Sequence, residues 1–405
     1  MSANRQPPQG QRDGGEMRAL LALISALMFL ELFFFAVLSP LLPGLKQELA
    51  ISTSQAGILV AAYALGALAG AIPATLLAVR AGARTTALGS LAVFGVMSIA
   101  FGVAKSYDAL LAARFIQGVA GAGCWTAAMV WLLETAPVER RGELLGYAFG
   151  VSEAGAIAGP AIGGVAASAG RGWVFGSVAA VSIVLAFATT RFASPPQPPR
   201  SERRLQLRTI LSSSTVRNAM WIAILPAIVL AAVSVLAPLR QHQLGAGATE
   251  IALTFAAAAL VGIVVRPFFG RWSDRTGPGT PIRVALIASV PIVLVIPWVN
   301  SRWALALLVI GALTVTGLMW APLMVMLSDA CSAAGVSQIM AVTVMDLTWP
   351  PGNALGSSGG AAIAQAAGER VAYAVIGAGL LAGVLALPRG AARVPPPLTT
   401  PQAGA

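Results

Sequence analysis

Runs of predominantly apolar residues, each long enough for the ~20 residues that a bilayer's hydrocarbon layer asks of a helix, follow one another from residue 19 to residue 388. They fall at approximately 19–43, 52–78, 84–104, 108–133, 142–167, 171–190, 217–239, 249–270, 281–300, 303–328, 336–366 and 370–388. In lipid no water satisfies the backbone, so each run must hydrogen-bond to itself, which a helix does. The expectation is an all-α polytopic membrane protein with 12 transmembrane helices. Composition agrees: the chain is 57% hydrophobic and 10% charged, where a soluble globular protein carries about 25% charged residues. The eleventh run is over-long, and Pro350-Pro351-Gly352 is expected to break or bend it.

Charge sets the orientation. Residues 1–18 are polar, rich in Pro, Gln and Gly, and carry Arg5, Arg12 and Arg18, which reads as a disordered cytoplasmic tail. The run that follows is too long for the apolar core of a secretory signal. The longest polar stretch, 191–216, carries Arg191, Arg200, Arg203, Arg204 and Arg208 and divides the runs six and six. Placing both ends and this linker in the cytoplasm puts most of the 26 Lys/Arg inside, as the positive-inside rule requires. The domains expected are therefore the tail at 1–18, a first bundle at 19–190, the linker at 191–216, a second bundle at 217–388 and a cytoplasmic tail at 389–405. The net charge of +11 is then a topology device that also meets anionic lipid in the cell membrane, and no nucleic-acid partner is expected.

Several chemistries find no footing. Two cysteines give no disulfide framework; Cys124 falls inside an apolar run, and Cys331 is placed in a short loop. The single histidine, His242, sits between Gln241 and Gln243 at the end of a run, as a solvated interfacial residue. Nucleotide and metal motifs are missing, so neither cofactor nor metal is expected, and no catalytic residues are assigned.

The two halves repeat. Val79-Arg80-Ala81-Gly82 and Asp274-Arg275-Thr276-Gly277 stand 195 residues apart, position for position, and internal repeats of this kind build transporters. A second pattern lies in the fifth run: Gly155, Gly159 and Gly163, with Gly164 beside them, place glycine at every fourth residue, on one face of a helix. Each interior Gly costs a helix about 1 kcal/mol against Ala in water, but in lipid such a stripe lets two backbones approach closely. Pro160 should bend the helix there.

These features resemble the major facilitator superfamily. Gly270-Arg271-Trp272-Ser273-Asp274-Arg275-Thr276-Gly277 resembles its loop motif in the second-half position. Arg114-Phe115-Ile116-Gln117-Gly118 is similar to its fourth-helix motif, and Pro137-Val138-Glu139-Arg140-Arg141-Gly142 to its loop between helices four and five. The stretch from Gly155 to Gly164 resembles the fifth-helix motif of the drug:proton antiporter branch. The first-half loop departs, with Val79 where the family has Asp and Thr75 where it has Gly, so the resemblance does not reach a first-half latch built on that acid. It implies two pseudo-symmetric six-helix bundles, alternating access, and a monomer. It also implies a gate formed by Gly270, Arg271, Asp274, Arg275 and Gly277, with Gly277 permitting the tight turn.

Charges inside a bilayer cost at least ~2.5–3.5 kcal/mol near its centre and so mark functional positions. Glu31 lies about 18 Å into the first run, Glu153 about 16 Å into the fifth and Asp346 about 15 Å into the eleventh. Arg114 enters about 9 Å from the outer end of the fourth. These four are the expected proton-coupling residues, with Glu31, biased by Arg114, holding a proton or substrate but not both. Glu153 could instead bond a neighbouring helix. Arg266 is expected to snorkel to the headgroups. Tyr63, Gln117, Trp125, Trp320 and Trp349 lie well inside runs and are the expected cavity lining, since ligand pockets are mostly apolar and aromatic. The function expected is proton-coupled efflux of small amphiphilic or hydrophobic compounds. A proton-coupled transporter of sugars, amino acids or other metabolites would want a denser set of intramembrane polar side chains than Gln117, Asn353 and Gln365 supply. A membrane-embedded enzyme would want a nucleophile–base pair or metal ligands at one depth, and a sensor would carry a signalling domain.

Overall fold

The computed structural model describes residues 14–136, 140–192, 210, 212–335 and 338–387. Among them every regular element is a helix. The first half contains α1 (Gly14–Ala36), the short α2 (Leu42–Glu48), α3 (Thr53–Ala81), α4 (Ala83–Val103), α5 (Tyr107–Thr135), α6 (Arg141–Ala169) and α7 (Arg171–Thr190). The second contains α8 (Ser214–Gln243), α9 (Ala248–Thr276), α10 (Gly279–Val295), α11 (Arg302–Leu318), α12 (Trp320–Ala333), α13 (Gln338–Ala354), α14 (Gly360–Ala367) and α15 (Glu369–Ala386). Ten stretches of these helices are long and apolar enough to cross a membrane. The two other expected spans are α6, diluted by its glycines, Pro160 and Glu153, and the interrupted stretch 338–367. The expected tail segments 1–13 and 388–405, most of the linker and Pro137-Val138-Glu139 lie outside the described residues.

Prolines set the breaks. Pro40 has no N–H to offer the Ala36 carbonyl, so α1 stops at Ala36 rather than near residue 43, and a 3-10 turn (Ser39–Leu41) leads into α2. The tenth expected span is likewise two helices, because Pro322 cannot donate to Leu318, the last residue of α11. In the eleventh, Pro350 and Pro351 stay inside α13, and the irregularity falls just beyond as a π turn at Leu355–Gly359. Such turns relieve a helix by admitting one extra residue. Starts are set by serines: the Ser106 hydroxyl accepts from Ala109 N–H and the Ser301 hydroxyl from Ala304 N–H, capping corresponding helices of the two halves. Gly82 and Gly277, with φ of 88° and 80°, end α3 and α9.

Buried apolar side chains form two clusters. One is drawn from residues 20–178 with Val235, Leu239 and Ala361, the other from residues 210–387. Outside them, Leu385, Leu307 and Ile183 are 78%, 70% and 68% exposed; such a surface suits lipid and not water. Trp173, Trp298 and Trp303 stand exposed together at the ends of helices on one side, as an interfacial belt does.

Packing follows the glycines. A methyl group on Gly155, Gly159 or Gly163 would run into the carbonyl oxygen of Phe29, Phe33 or Val37, so α6 lies backbone against backbone on α1. The second half repeats this one for one. Gly352, Gly356 and Gly360, each 197 residues further on, press on Ile224, Ile228 and Ala232 of α8, each 195 residues on from Phe29, Phe33 and Val37.

The halves meet at the side opposite the start of α1, here called the far face. Gly164 of α6 abuts Ala248 and Ala252 of α9, and its counterpart contact sets Ala361 of α14 on Gly57 of α3. Ser54 N–H donates to Gln365 Oε1 at 2.8 Å, and Gln47 Nε2 lies 2.9 Å from His242 Nε2.

Gly159→Ile and Gly356→Ile are each expected to lower the melting temperature of the purified protein by several degrees, since overpacking costs about 1–3 kcal/mol or more. Gly150→Ile, where nothing lies within 4 Å of an added Cβ, is expected to leave it unchanged. Equal melting of all three, read by intrinsic fluorescence, would dismiss the backbone contact.

Candidate functional site

Between the halves lies a cavity of about 380 Å³. Its wall draws on α1, α3, α5 and α6 from the first half and on α8, α9, α11, α12 and α13 from the second. Six aromatic rings face it: Phe35, Trp125, Phe149, Phe255, Trp320 and Trp349. Phe35 and Trp349 cross the gap between halves edge to face, centroids 4.9 Å apart, and Trp125 meets Phe149 in the same manner at 5.6 Å. Hydroxyls are few, from Ser39, Thr126, Ser152, Ser234 and Thr314.

Three charged side chains line this wall among the described residues: Glu31, Glu153 and Arg266. Glu31 sits on α1, is 9% exposed and lines the cavity. The Tyr63 hydroxyl stands 3.3 Å from the Glu31 backbone oxygen and 3.5 Å from its Oε1. The Tyr63 ring in turn lies under the Arg114 guanidinium, whose carbon is 4.7 Å from the ring centre, a distance at which the ring's quadrupole attracts a cation. Arg114 Nη1 donates to the Phe34 carbonyl at 2.8 Å and to Gln117 Oε1 at 3.3 Å, and Gln117 Nε2 donates to the Met97 carbonyl. A polar chain thus runs from α4 through α5 and α3 to α1, ending at the Glu31 carboxylate. Gly121 makes room for it, since a Cβ there would crowd the Tyr63 hydroxyl and approach Glu31 Cγ.

This placement corrects two expectations. Tyr63 and Gln117 do not line the cavity; both are wholly buried behind it, holding Arg114 and Glu31 in place. Arg114 is also behind the wall, 1% exposed, and its Nε and Nη2 find no hydrogen-bond partner among the described residues. Trp125, Trp320 and Trp349 do face the cavity. Of the Phe33-Phe34-Phe35 run only Phe35 reaches it, while Phe34 stacks on Phe94 at 4.6 Å.

Arg266 does not snorkel. Its Nη1 lies 2.5 Å from Glu153 Oε1, with the two side chains 31% and 28% exposed. The pair joins α9 of one half to α6 of the other through the cavity. Sequence reasoning assigned each residue separately and missed the pair, for the two lie on different halves. Asp346 sits on α13 between Met345 and Trp349, which line the cavity, but its side chain lies outside the described residues.

The expected gating loop is mostly helix. Gly270, Arg271, Asp274 and Arg275 belong to the last turns of α9, and only Gly277 leaves it. Arg271 folds back on its own helix, donating to the Pro267 carbonyl at 3.3 Å and covering the Phe268 ring. Asp274 and Arg275 are exposed without an ion-pair partner among the described residues. Gly155, Gly159 and Gly163 face α1, Gly164 faces α9, and Pro160 lines the cavity within an unbroken helix. Cys331 is buried in α12, not in a loop, because that helix runs on to Ala333.

Comparison with known proteins converges with this geometry. The family model of the Major Facilitator Superfamily matches residues 24–349. Multidrug resistance protein 1 of Bacillus subtilis (strain 168) is 24% identical over 296 residues, spanning 72% of this chain and 76% of that protein. The crystal structure of a bacterial homolog to the human lysosomal transporter Spinster, inward-facing and unoccupied, superimposes with a TM-score of 0.71 at 17% identity, over 93% of this chain and 95% of that one. The crystal structure of a D-xylose-proton symporter gives the same TM-score at 16% identity, over 91% and 97%. At these identities the two structures speak for the fold alone. With the family model spanning most of both repeats, and the motifs standing on the helices where the fold needs them, the chain belongs to the major facilitator superfamily, a family of membrane transporters and not of enzymes.

Proposed function

We propose that this protein exports small amphiphilic or hydrophobic compounds across the cell membrane in exchange for protons. The observation that carries the reading is the placement of Glu31: a nearly buried carboxylate at the rim of an aromatic cavity between two halves, with a tyrosine hydroxyl beside it. A carboxylate so placed binds a proton or stabilises cargo in the cavity, and the two compete for one position. The scarcity of hydroxyls and amides on the wall favours apolar and amphiphilic cargo over sugars, which need many hydrogen bonds. The likeness to a multidrug resistance protein supports the same substrate class.

Alternating access supplies the cycle. The halves are closed on the far face by the paired contacts of Gly164 with Ala252 and Gly57 with Ala361. Opening that face would rock one half against the other around the cavity. The energy suffices without ATP. One proton moving down ~100 mV releases about 2.3 kcal/mol, and one pH unit adds about 1.4. Together these sustain a cargo gradient of more than about a hundredfold. In this reading Asp346 is a second acid near the cavity, the end of α9 with Asp274 and Arg275 acts at the cytoplasmic face, and the protein works as a monomer with both termini in the cytoplasm.

In everted vesicles with an imposed pH gradient, Glu31→Gln is expected to bring proton-driven export down to background while substrate counterflow without a gradient persists. Undiminished proton-driven export by that variant would remove Glu31 from the mechanism. For orientation, a single cysteine at Ser201 in the linker, with Cys124 and Cys331 replaced by alanine, is expected to react with an impermeant maleimide from the cytoplasmic side only. Labelling in intact cells would reverse the topology.

A further inference from the structure

On the outside of the first half, α3 and α5 touch backbone to backbone. A methyl group on Gly66 would run into the Phe115 carbonyl oxygen and one on Gly118 into that of Tyr63, while Gly70 faces the backbone of Val119. At an offset of 195 residues these three glycines become Val261, Leu313 and Val265, so the second half has no glycine at these positions to allow the same approach. Along this contact, away from the central cavity, lies a second hollow, a groove of about 430 Å³. Ile58, Ala62 and Leu65 line it from α3, and Ala112, Phe115 and Ile116 from α5. Its one charged residue is Asp108.

The groove has the length and depth of one leaflet. From Asp108 to Ile116 is about 12 Å along the helix, close to half of the ~30 Å hydrocarbon layer. Asp108 stands at headgroup level, because its counterpart in the repeat is Trp303, one of the exposed belt tryptophans. The counterpart of Ala112 is Leu307, 70% exposed, a larger side chain where the first half leaves room. The groove therefore belongs to this half alone.

Its chemistry names an occupant. The apolar length suits an acyl chain. Asp108 is exposed and has no ion-pair partner among the described residues, and Lys105, also exposed, stands just before α5. A headgroup carrying both signs meets both residues, its ammonium donating to Asp108 and its phosphate facing Lys105. A primary ammonium gives a carboxylate a charge-assisted hydrogen bond, whereas a glycerol headgroup brings only a negative charge to Asp108. A protein partner is poorly served, since eight residues line the groove against roughly 20–30 a side in a stable interface.

We propose that this groove binds one phospholipid with an ethanolamine headgroup, its acyl chain laid between α3 and α5 and its ammonium on Asp108. The lipid braces from outside the helix pair that holds Tyr63 against Arg114 on its inner side. The inference does not depend on the transport reading.

Native mass spectrometry of the full-length protein tests this, with the protein delipidated in detergent and then titrated separately with phosphatidylethanolamine and phosphatidylglycerol of the same acyl chains. Asp108→Asn is expected to weaken phosphatidylethanolamine binding about fivefold without weakening phosphatidylglycerol. Ala112→Leu, which installs the side chain of the repeat, is expected to weaken both lipids about fivefold. Phosphatidylethanolamine affinity within about twofold of the unaltered protein in either variant overturns the proposal. An equal loss of both lipids in Asp108→Asn also overturns it, since the headgroup is then not what Asp108 reads. Should Ala112→Leu fail to fold, the exposed Asp108→Asn substitution decides alone.

Discussion

Where a helix backbone touches another helix backbone directly, no side chain mediates and no rotamer change can loosen the contact. That situation holds between α6 and α1 through Gly155, Gly159 and Gly163, and again between α13 and α8 through Gly352 and Gly356. In lipid the hydrophobic effect does little to drive helices together, so close approach of small residues carries the association. Around these two seams the cavity acquires its walls. Phe35 and Glu31 stand on one side of the first seam, and Trp349 stands just before the second.

The repeat is followed closely in packing and departed from in chemistry. The seams, the serine caps at 106 and 301, the positive-φ glycines at 82 and 277 and the far-face contacts all recur. The charges do not. Glu31 corresponds to Pro226, Glu153 to Pro350 and Arg266 to Ala71. Among the described residues, a wall built twice carries its charged side chains once, on α1, α6 and α9. Two halves that pack alike therefore present different surfaces to the same molecule.

Much of this was legible in the residues, within limits set by physics. Helix existence follows from run length, and the α6 stripe from its period of four. Prolines at 40 and 322 could have told where helices stop, since a missing N–H acts on a fixed carbonyl four residues earlier. Rotation about a helix axis is harder to read in lipid, where apolar side chains suit both the lipid and the protein side. So Tyr63 and Gln117 were expected at the cavity and are found behind it. The Glu153–Arg266 pair depends on contact between residues more than a hundred positions apart, for which local pattern carries no signal. The second glycine seam did carry one, because the 197-residue offset points straight to it.

Glu31 and Glu153 belong to the two helices that the first seam fuses. Phe29 and Phe33 flank the former, and Gly155, facing Phe29, stands two residues from the latter. The two carboxylates therefore stand on helices joined backbone to backbone, as on one plate. Any tilt of that plate carries both at once, changing how far Glu153 stands from its arginine on the opposite half as it repositions Glu31. A displacement of one acid is then a displacement of both.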